Sequence, residues 1–438
     1  MTCQKPPLYK FPLITNLERN YGAEMQFGCI KLSTLLLAAG QMMNAQSSVA
    51  PRTFSEIVHT VSVVGPVAVL SDVHEQALVA VSPQLQGRVL TSSAEGWNGR
   101  SLGWVNEKLV ASRQVQQHFN AYGGEDRIWL APEGGQFSIF FAPHASFDLA
   151  HWYTPAPVDT EPFDVEQKSK ASVSLKKDLA LQNYSGAKFK IRVNREVKLL
   201  ANDQVWEDLH IAPVSQVRVV AFESHNKLTN TGDAVWDKQS GLVAIWILGQ
   251  FQASSSTTIV IPIHQGSEAQ LGTPVTSDYF GTIPATRLAV TPNAVFMKAD
   301  AEYRGKVGVN PARATGVLGS YDAQRHLLTI VQQSMPDPRA DYVNNAWKIQ
   351  DQPYKGDATN AYNDGPQSDG AHLGRFYELE SLSSAKALGP GQSIEHTQRT
   401  IHVEGDERSL DRIARAVLGV SLEQITKALP GSESRARK

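Results

Sequence analysis

The sequence predicts an all-β protein, one large antiparallel β-sandwich with a short C-terminal helical segment. Three observations carry this. From about Phe54 onward the chain is a series of short β-type runs separated by Gly, Asn, Asp and Pro. Stretches with a 3.6-residue apolar period are few. No fixed-period repeat marks a propeller or a solenoid, so the spacing favours a large sandwich or barrel.

At the N-terminus the most apolar run is 30–39, followed by Gly40, Gln41 and small polar residues. Roughly ten residues cannot span a bilayer as a helix, which needs about 20. With Lys31 at its entrance and Asn44 to Ser48 at its exit, the run reads as a secretory signal peptide that starts at Met25 and is cut near Ala45 or Gln46. Residues 1–46 then comprise an upstream extension and a signal; a buried N-terminal helix is the plainer alternative. Cys3 and Cys29 both precede the cut, which excludes disulfides and thiolate catalysis from the mature chain. Cys29 lies ahead of the apolar run, which argues against lipid attachment. A periplasmic or secreted product with no membrane span is expected.

The sandwich is expected over 54–405, with clear β-type runs at 61–70, 136–141, 188–193, 216–222, 242–248, 257–263, 327–332 and 376–379. The Lys- and Ser-rich stretch 167–178 reads as a surface loop. A short helix is expected at 104–111. A stronger helical pair is expected at 406–430, where Leu410, Ile413, Val417, Leu422 and Ile425 recur at helical spacing around Gly419, followed by a frayed tail at 431–438. The 438 residues are 42% hydrophobic and 19% charged, with a net charge of -2 from 41 basic and 43 acidic residues. That balance offers no footprint for nucleic acid.

Three segments carry candidate chemistry. In the segment from Tyr122 to Gly135, paired glycines flank a charged and aromatic cluster, allowing close approach of backbone to a ligand. Arg127 and Trp129 share a face of an extended segment, with Glu125, Asp126 and Glu133 beside them. A ring next to a guanidinium and carboxylates suits a sugar, which stacks its C–H face and hydrogen-bonds its hydroxyls. A buried network pinning a loop is the plainer reading. In the second segment Glu223 and His225 share a strand face ahead of an Asn-Thr-Gly-Asp turn. In the third, Asp357, Asn360, Asn363 and Asp364 offer hard oxygens able to ligate calcium, although the spacing matches no EF-hand and an Asx-rich turn explains it as well. Glu378 and Glu380 lie on one strand face, with Tyr377 and Leu379 on the other. Two carboxylates that close perturb each other's ionisation, as general acid–base work requires. No nucleophile elbow, P-loop, dinucleotide fingerprint or HExxH is present.

The run from Gln86 to Thr91, the cluster from Gly123 to Glu133, the turn from Leu228 to Asp233, and Glu378 to Ser381 followed by Leu388 to Ser393 together resemble the galactose mutarotase-like (aldose 1-epimerase-like) superfamily, and within it an uncharacterised bacterial exported family. The resemblance spans most of 60–405. It implies the mutarotase-like supersandwich and makes Glu380 the base on the anomeric hydroxyl. It also implies an acid histidine after the Asn-Thr-Gly-Asp turn, where this chain has Trp246, so ordinary mutarotation is not expected. His225, His326 or His372 would have to face Glu380 instead.

The expected function is an exported carbohydrate-active protein that binds a sugar or oligosaccharide in a cleft. Trp129 and Trp246 would stack, and Arg127, Glu125, Asp126, Glu133, Asn363 and Asp364 would contact substrate. Glu380, Glu378 and His225 would transfer protons in an epimerase, glycosidase or lyase reaction. The alternatives are a non-catalytic carbohydrate-binding protein on the same fold and a structural cell-envelope protein. No organic cofactor is expected, and calcium is the one metal considered.

Overall fold

Strict alternation of apolar and polar residues builds the larger of two packed sheets. In Lys188–Leu199 every second side chain is buried, the period-2 pattern of a strand with one wet face. The computed structural model describes residues 52–367 and 370–430. Ten antiparallel strands form this sheet, from Leu288–Val290 at one edge to Asp164–Lys168 at the other, with Val317–Asp322, Leu327–Gln333, Ser393–Gly405 and Val217–Asn230 at its centre.

Packed on its inner face is a five-stranded sheet of β1 (Arg127–Ala131), β2 (Ala244–Gln252), β3 (Gly305–Val309), β4 (Thr359–Asn363) and β5 (Phe376–Leu382), in spatial order β3-β4-β5-β2-β1. Its strands are buried on both faces, which explains the unbroken apolar run from Ala244 to Leu248. Ile128, Ile247, Val307 and Leu379 pack inward against Phe222, Ile259 and Val331. Each such side chain contributes about 1.5–3 kcal/mol on burial.

The outer face of the large sheet is covered near its centre by helices Glu407–Val417 and Leu422–Lys427. Leu410, Ile413 and Ile425 join one cluster with Leu328, Ile401 and Val403. Asp406 caps the first helix by accepting from Ser409 N at 2.9 Å, and Ser421 caps the second within a capping box. A three-stranded sheet, Ala68–Ser71, Leu78–Ser82 and Arg88–Ser93, completes the body, with helices Phe54–Val61 and Glu107–Ser112 nearby. The expected antiparallel sandwich and C-terminal helices are therefore present.

Three local expectations are corrected. The run 61–70 is strand only from Ala68, because Thr53 caps a helix over Phe54–Val61 through a capping box with Glu56. The stretch 136–141 is a turn rather than a strand; its Phe140 and Phe141 are buried against Trp152 and Trp347. The stretch 167–178 is no loop but the edge hairpin of strands Asp164–Lys168 and Ser172–Gln182, whose exposed polar residues are the wet faces of its strands. The short helix expected at 104–111 is Glu107–Ser112. The signal segment 1–46 with Cys3 and Cys29, and the tail 431–438, lie outside the described residues. No helix among the described residues is long and apolar enough to cross a membrane.

The turns that carried the resemblance are knitted together. Asn230 donates to the carbonyls of Ala234 and Leu388, both at 2.8 Å, and accepts from Gly232 N at 2.9 Å. This ties the Asn-Thr-Gly-Asp turn to the turn that follows Leu388.

Candidate active site

Strand register assembles the site. Lys306 of β3 lies opposite Tyr362 of β4, Tyr362 opposite Glu378 of β5, and Glu378 opposite Gln250 of β2. One step along, Asn360, Glu380, Leu248 and Arg127 form a second row, and Leu382, Trp246 and Trp129 a third. Directly opposed residues share a sheet face. The face turned away from the large sheet therefore gathers two carboxylates, two cations and two indoles. It is the floor of a cleft of about 620 Å³ walled by Trp152, Trp347, Phe119 and Phe280. A second lobe of about 410 Å³ adjoins it, with Glu133, Arg304, Lys306 and Trp347 common to both.

The two floor glutamates differ. Arg127 Nη2 at 3.2 Å and Gln250 Nε2 at 2.8 Å both donate to Oε1 of Glu378, which leaves Oε2 as the oxygen able to carry a proton. Burial, only partly offset by Arg127 and reinforced by Glu380, pushes the Glu378 carboxyl up to about 8. Glu380 accepts from Trp246 Nε1 and Lys306 Nζ, each at 3.0 Å, on Oε2. Burial opposes the charge of Lys306, but Glu380 and Glu133 outweigh it and hold the ammonium above its ordinary range. Glu133 is itself raised by burial, against the pull of Lys306. The Arg127 guanidinium lies 4.0 Å over the Trp129 ring, a cation–π contact that fixes both.

This floor is incompletely satisfied. Glu380 Oε1, Arg127 Nε and Nη1, Gln250 Oε1 and Trp129 Nε1 are buried and have no hydrogen-bond partner among the described residues. Buried polar atoms in folded proteins are nearly always paired, and these five lie beneath the cleft surface, out of direct reach of a ligand.

Of the residues singled out in the sequence, Arg127, Trp129, Glu133, Trp246 and Glu378 line the cleft together. Glu380 is at the floor but 0% exposed, covered by Lys306 and Trp246, whereas Glu378 retains 7%. The proposed anomeric base thus does not reach the cleft surface. Glu125 and Asp126 face the large sheet instead. Glu125 accepts from His402 Nε2 at 3.0 Å and Ser92 N at 2.6 Å, and Asp126 pairs with Arg195 at 2.5 Å. The local reason is that Gly123 and Gly124, at φ of +93° and +112°, turn the chain against Trp104 and Arg88. These glycines, like Gly134 against Ala346, serve close approach of the protein's own chain and not of a ligand. His225 is on the large sheet and pairs with Glu395 at 3.2 Å, away from the cleft.

Asn363 and Asp364 border the floor as structural groups. Asn363 accepts from Ala301 N and donates to the Tyr303 carbonyl, and Asp364 accepts from Tyr362 and Gly374 N. Asp357 accepts from Tyr279 and Thr276. These oxygens are engaged separately, and no group of three or more His, Cys, Asp or Glu set to hold a metal is found among the described residues. His326 sits at a left-handed turn position, while His372 reaches the cleft wall.

Sequence reading missed Lys306, Arg304, Trp347 and His118. A lone Lys in the otherwise apolar strand Gly305–Val309 was a usable signal for the first. His118 lines the cleft and donates Nδ1–H to the Trp152 carbonyl at 2.8 Å. Nothing in its polar surroundings distinguished it.

Residues 52–429 match the model of a family of unknown function, DUF6786. The chain belongs to this family. Similar solved structures include a candidate aldose 1-epimerase from Escherichia coli K12, at 14% identity and a TM-score of 0.47 over 78% of this chain and 99% of that one. A galactose mutarotase-like protein from Lactobacillus casei is 9% identical, with a TM-score of 0.43 over 77% and 100%. A galactose mutarotase related enzyme from Lactobacillus acidophilus is 9% identical, with a TM-score of 0.41 over 78% and 97%. These neighbours are of the type that the sequence motifs resemble, but at such scores they carry no argument about chemistry. No curated protein matches the chain.

Proposed function

We propose that the cleft binds a sugar or oligosaccharide and that Glu378 donates a proton to a sugar oxygen within it. The observation that carries this is Glu378 itself, a carboxyl raised to about 8 whose two donors converge on Oε1 beneath walls of tryptophan. A general acid works best with an ionisation near the operating pH, and indole walls suit the C–H faces of sugar rings. Glu380 acts through Lys306, holding the ammonium in place.

One observation favours a non-catalytic binder instead: Glu380, the base implied by the resemblance, is fully covered. Assays for epimerisation, hydrolysis and elimination over a glycan panel separate the readings. The enzyme reading expects turnover that Glu378→Gln sharply reduces while binding persists; saccharide binding with no turnover in the parent supports the binder. Absence of both contradicts the carbohydrate reading.

Export belongs to the same proposal. Its support is the apolar run 30–39 and the start of the family match at 52, just past the expected cut. N-terminal sequencing of the mature protein tests it, and an intact Met1 or Met25 would contradict it.

A further inference from the structure

Arg304 stands at the junction of the two lobes, immediately before β3. Its guanidinium lies 4.0 Å over the Phe280 ring, and its Nε donates to the Tyr362 hydroxyl at 3.3 Å. These contacts hold the group by one face and one edge. Among the described residues its two terminal nitrogens make no hydrogen bond and no carboxylate forms an ion pair with it, although Glu133 is near enough to feel its charge. Arg127 donates to Glu378 and Lys306 to Glu380, and the other Arg127 nitrogens are buried, so neither of these cations presents an open fork to the cleft. In the second lobe Lys348 and Lys355 are exposed and likewise make no ion pair. Of the carboxylates there, Asp357 is engaged by Tyr279 and Thr276, Glu133 sits beside Lys306, and Asp278 stands at the exposed rim.

A planar guanidinium fixed by stacking, with its terminal fork free, matches a carboxylate or sulfate in bidentate fashion and neutral hydroxyls less well. We propose that the saccharide is acidic: its carboxylate or sulfate docks on Arg304 where the lobes meet, and Lys348 and Lys355 receive further charges along the chain. A neutral part of the saccharide then lies against the tryptophans of the first lobe. This inference rests on the carbohydrate reading and narrows its substrate class.

Calorimetric titration with oligogalacturonate, its fully methyl-esterified form and a sulfated galactan fragment tests it. One acidic probe or both should bind at least about tenfold tighter than the neutral ester, since hydrogen bonds to a charged group are stronger than those between neutral groups. A preference for oligogalacturonate identifies the carboxylate as the docked group, and a preference for the galactan identifies the sulfate. Arg304→Ala should erase the difference. The double substitution Lys348→Ala with Lys355→Ala, at exposed positions that leave the fold undisturbed, should reduce it and flatten its salt dependence. Equal affinity for acidic and neutral probes, or a preference that survives Arg304→Ala, overturns the proposal and leaves saccharide binding standing. Failure to bind any saccharide at all overturns the carbohydrate reading beneath it.

Discussion

The five-stranded sheet carries buried charge on both faces, and the two faces treat it differently. Toward the large sheet, Asp126 accepts from Arg195 on Oδ1 and from Ser224 and Gln398 on Oδ2, and Glu125 has both oxygens bonded by Ser92 and His402. Toward the cleft, Glu380 leaves one oxygen unpaired and Arg127 two nitrogens. Both sets are charged and buried, and Arg127 directly follows Asp126 in the chain, so charge and burial do not tell structure from function here. Access to the cleft does, for Arg127 and Glu378 line it and Glu125 and Asp126 do not. The satisfied inner network specifies how the two sheets meet, whereas on the other face Glu378 opens on the cleft with both of its donors on Oε1.

The comparison breaks most visibly at Arg195. Replacing it by Met strands Asp126 in the core and should cost about 3–5 kcal/mol, read as a lower urea midpoint. A loss under 1 kcal/mol would mean the inner network is not structural. On the cleft face, Glu378→Gln should reduce turnover by roughly 10²–10⁴-fold with saccharide affinity retained, checked by paired kinetics and titration.

A smaller effect concerns pH. Because the folded carboxyl of Glu378 is raised from 4.5 to about 8, the folded state binds its proton more tightly than the unfolded chain. Its contribution to stability is complete below 4.5 and is lost as pH rises through about 8. Asp357, raised to about 6 by burial, loses its contribution earlier, and Arg88, lowered by burial to about 9, opposes the fall only toward the upper end, so the interval from pH 7 reports mainly on Glu378. Stability should fall there by about 1.4 kcal/mol, and Glu378→Gln should flatten the slope. The smallest effect is at His225, whose pairing with Glu395 is exposed; His225→Ala should change stability by less than about 0.5 kcal/mol and leave saccharide binding unaltered.

Much of this molecule was legible in its sequence. Alternation placed Glu378 with Glu380 and Arg127 with Trp129 on common faces, because side-chain direction in a strand follows from position alone. The same logic did not extend to Glu125 and Asp126, which lie where Gly123 and Gly124 break the alternation. Nor did it reveal that Lys306 and Trp246 cover Glu380, since they come from two strands brought together only by pairing with others. Arg304 and His118 gained their roles from partners remote in sequence, Phe280 and Trp152. Local pattern reports faces, and only the assembled sheet reports neighbours.

The central claim is a proton-bearing carboxyl at the floor of a saccharide cleft, and carbon NMR of the glutamate carboxyls reads it directly. With Glu378→Gln used to assign the signal, the Glu378 resonance should titrate near pH 8 and shift when a bound saccharide is added. A resonance that titrates near 4.5 and ignores every saccharide would contradict the account.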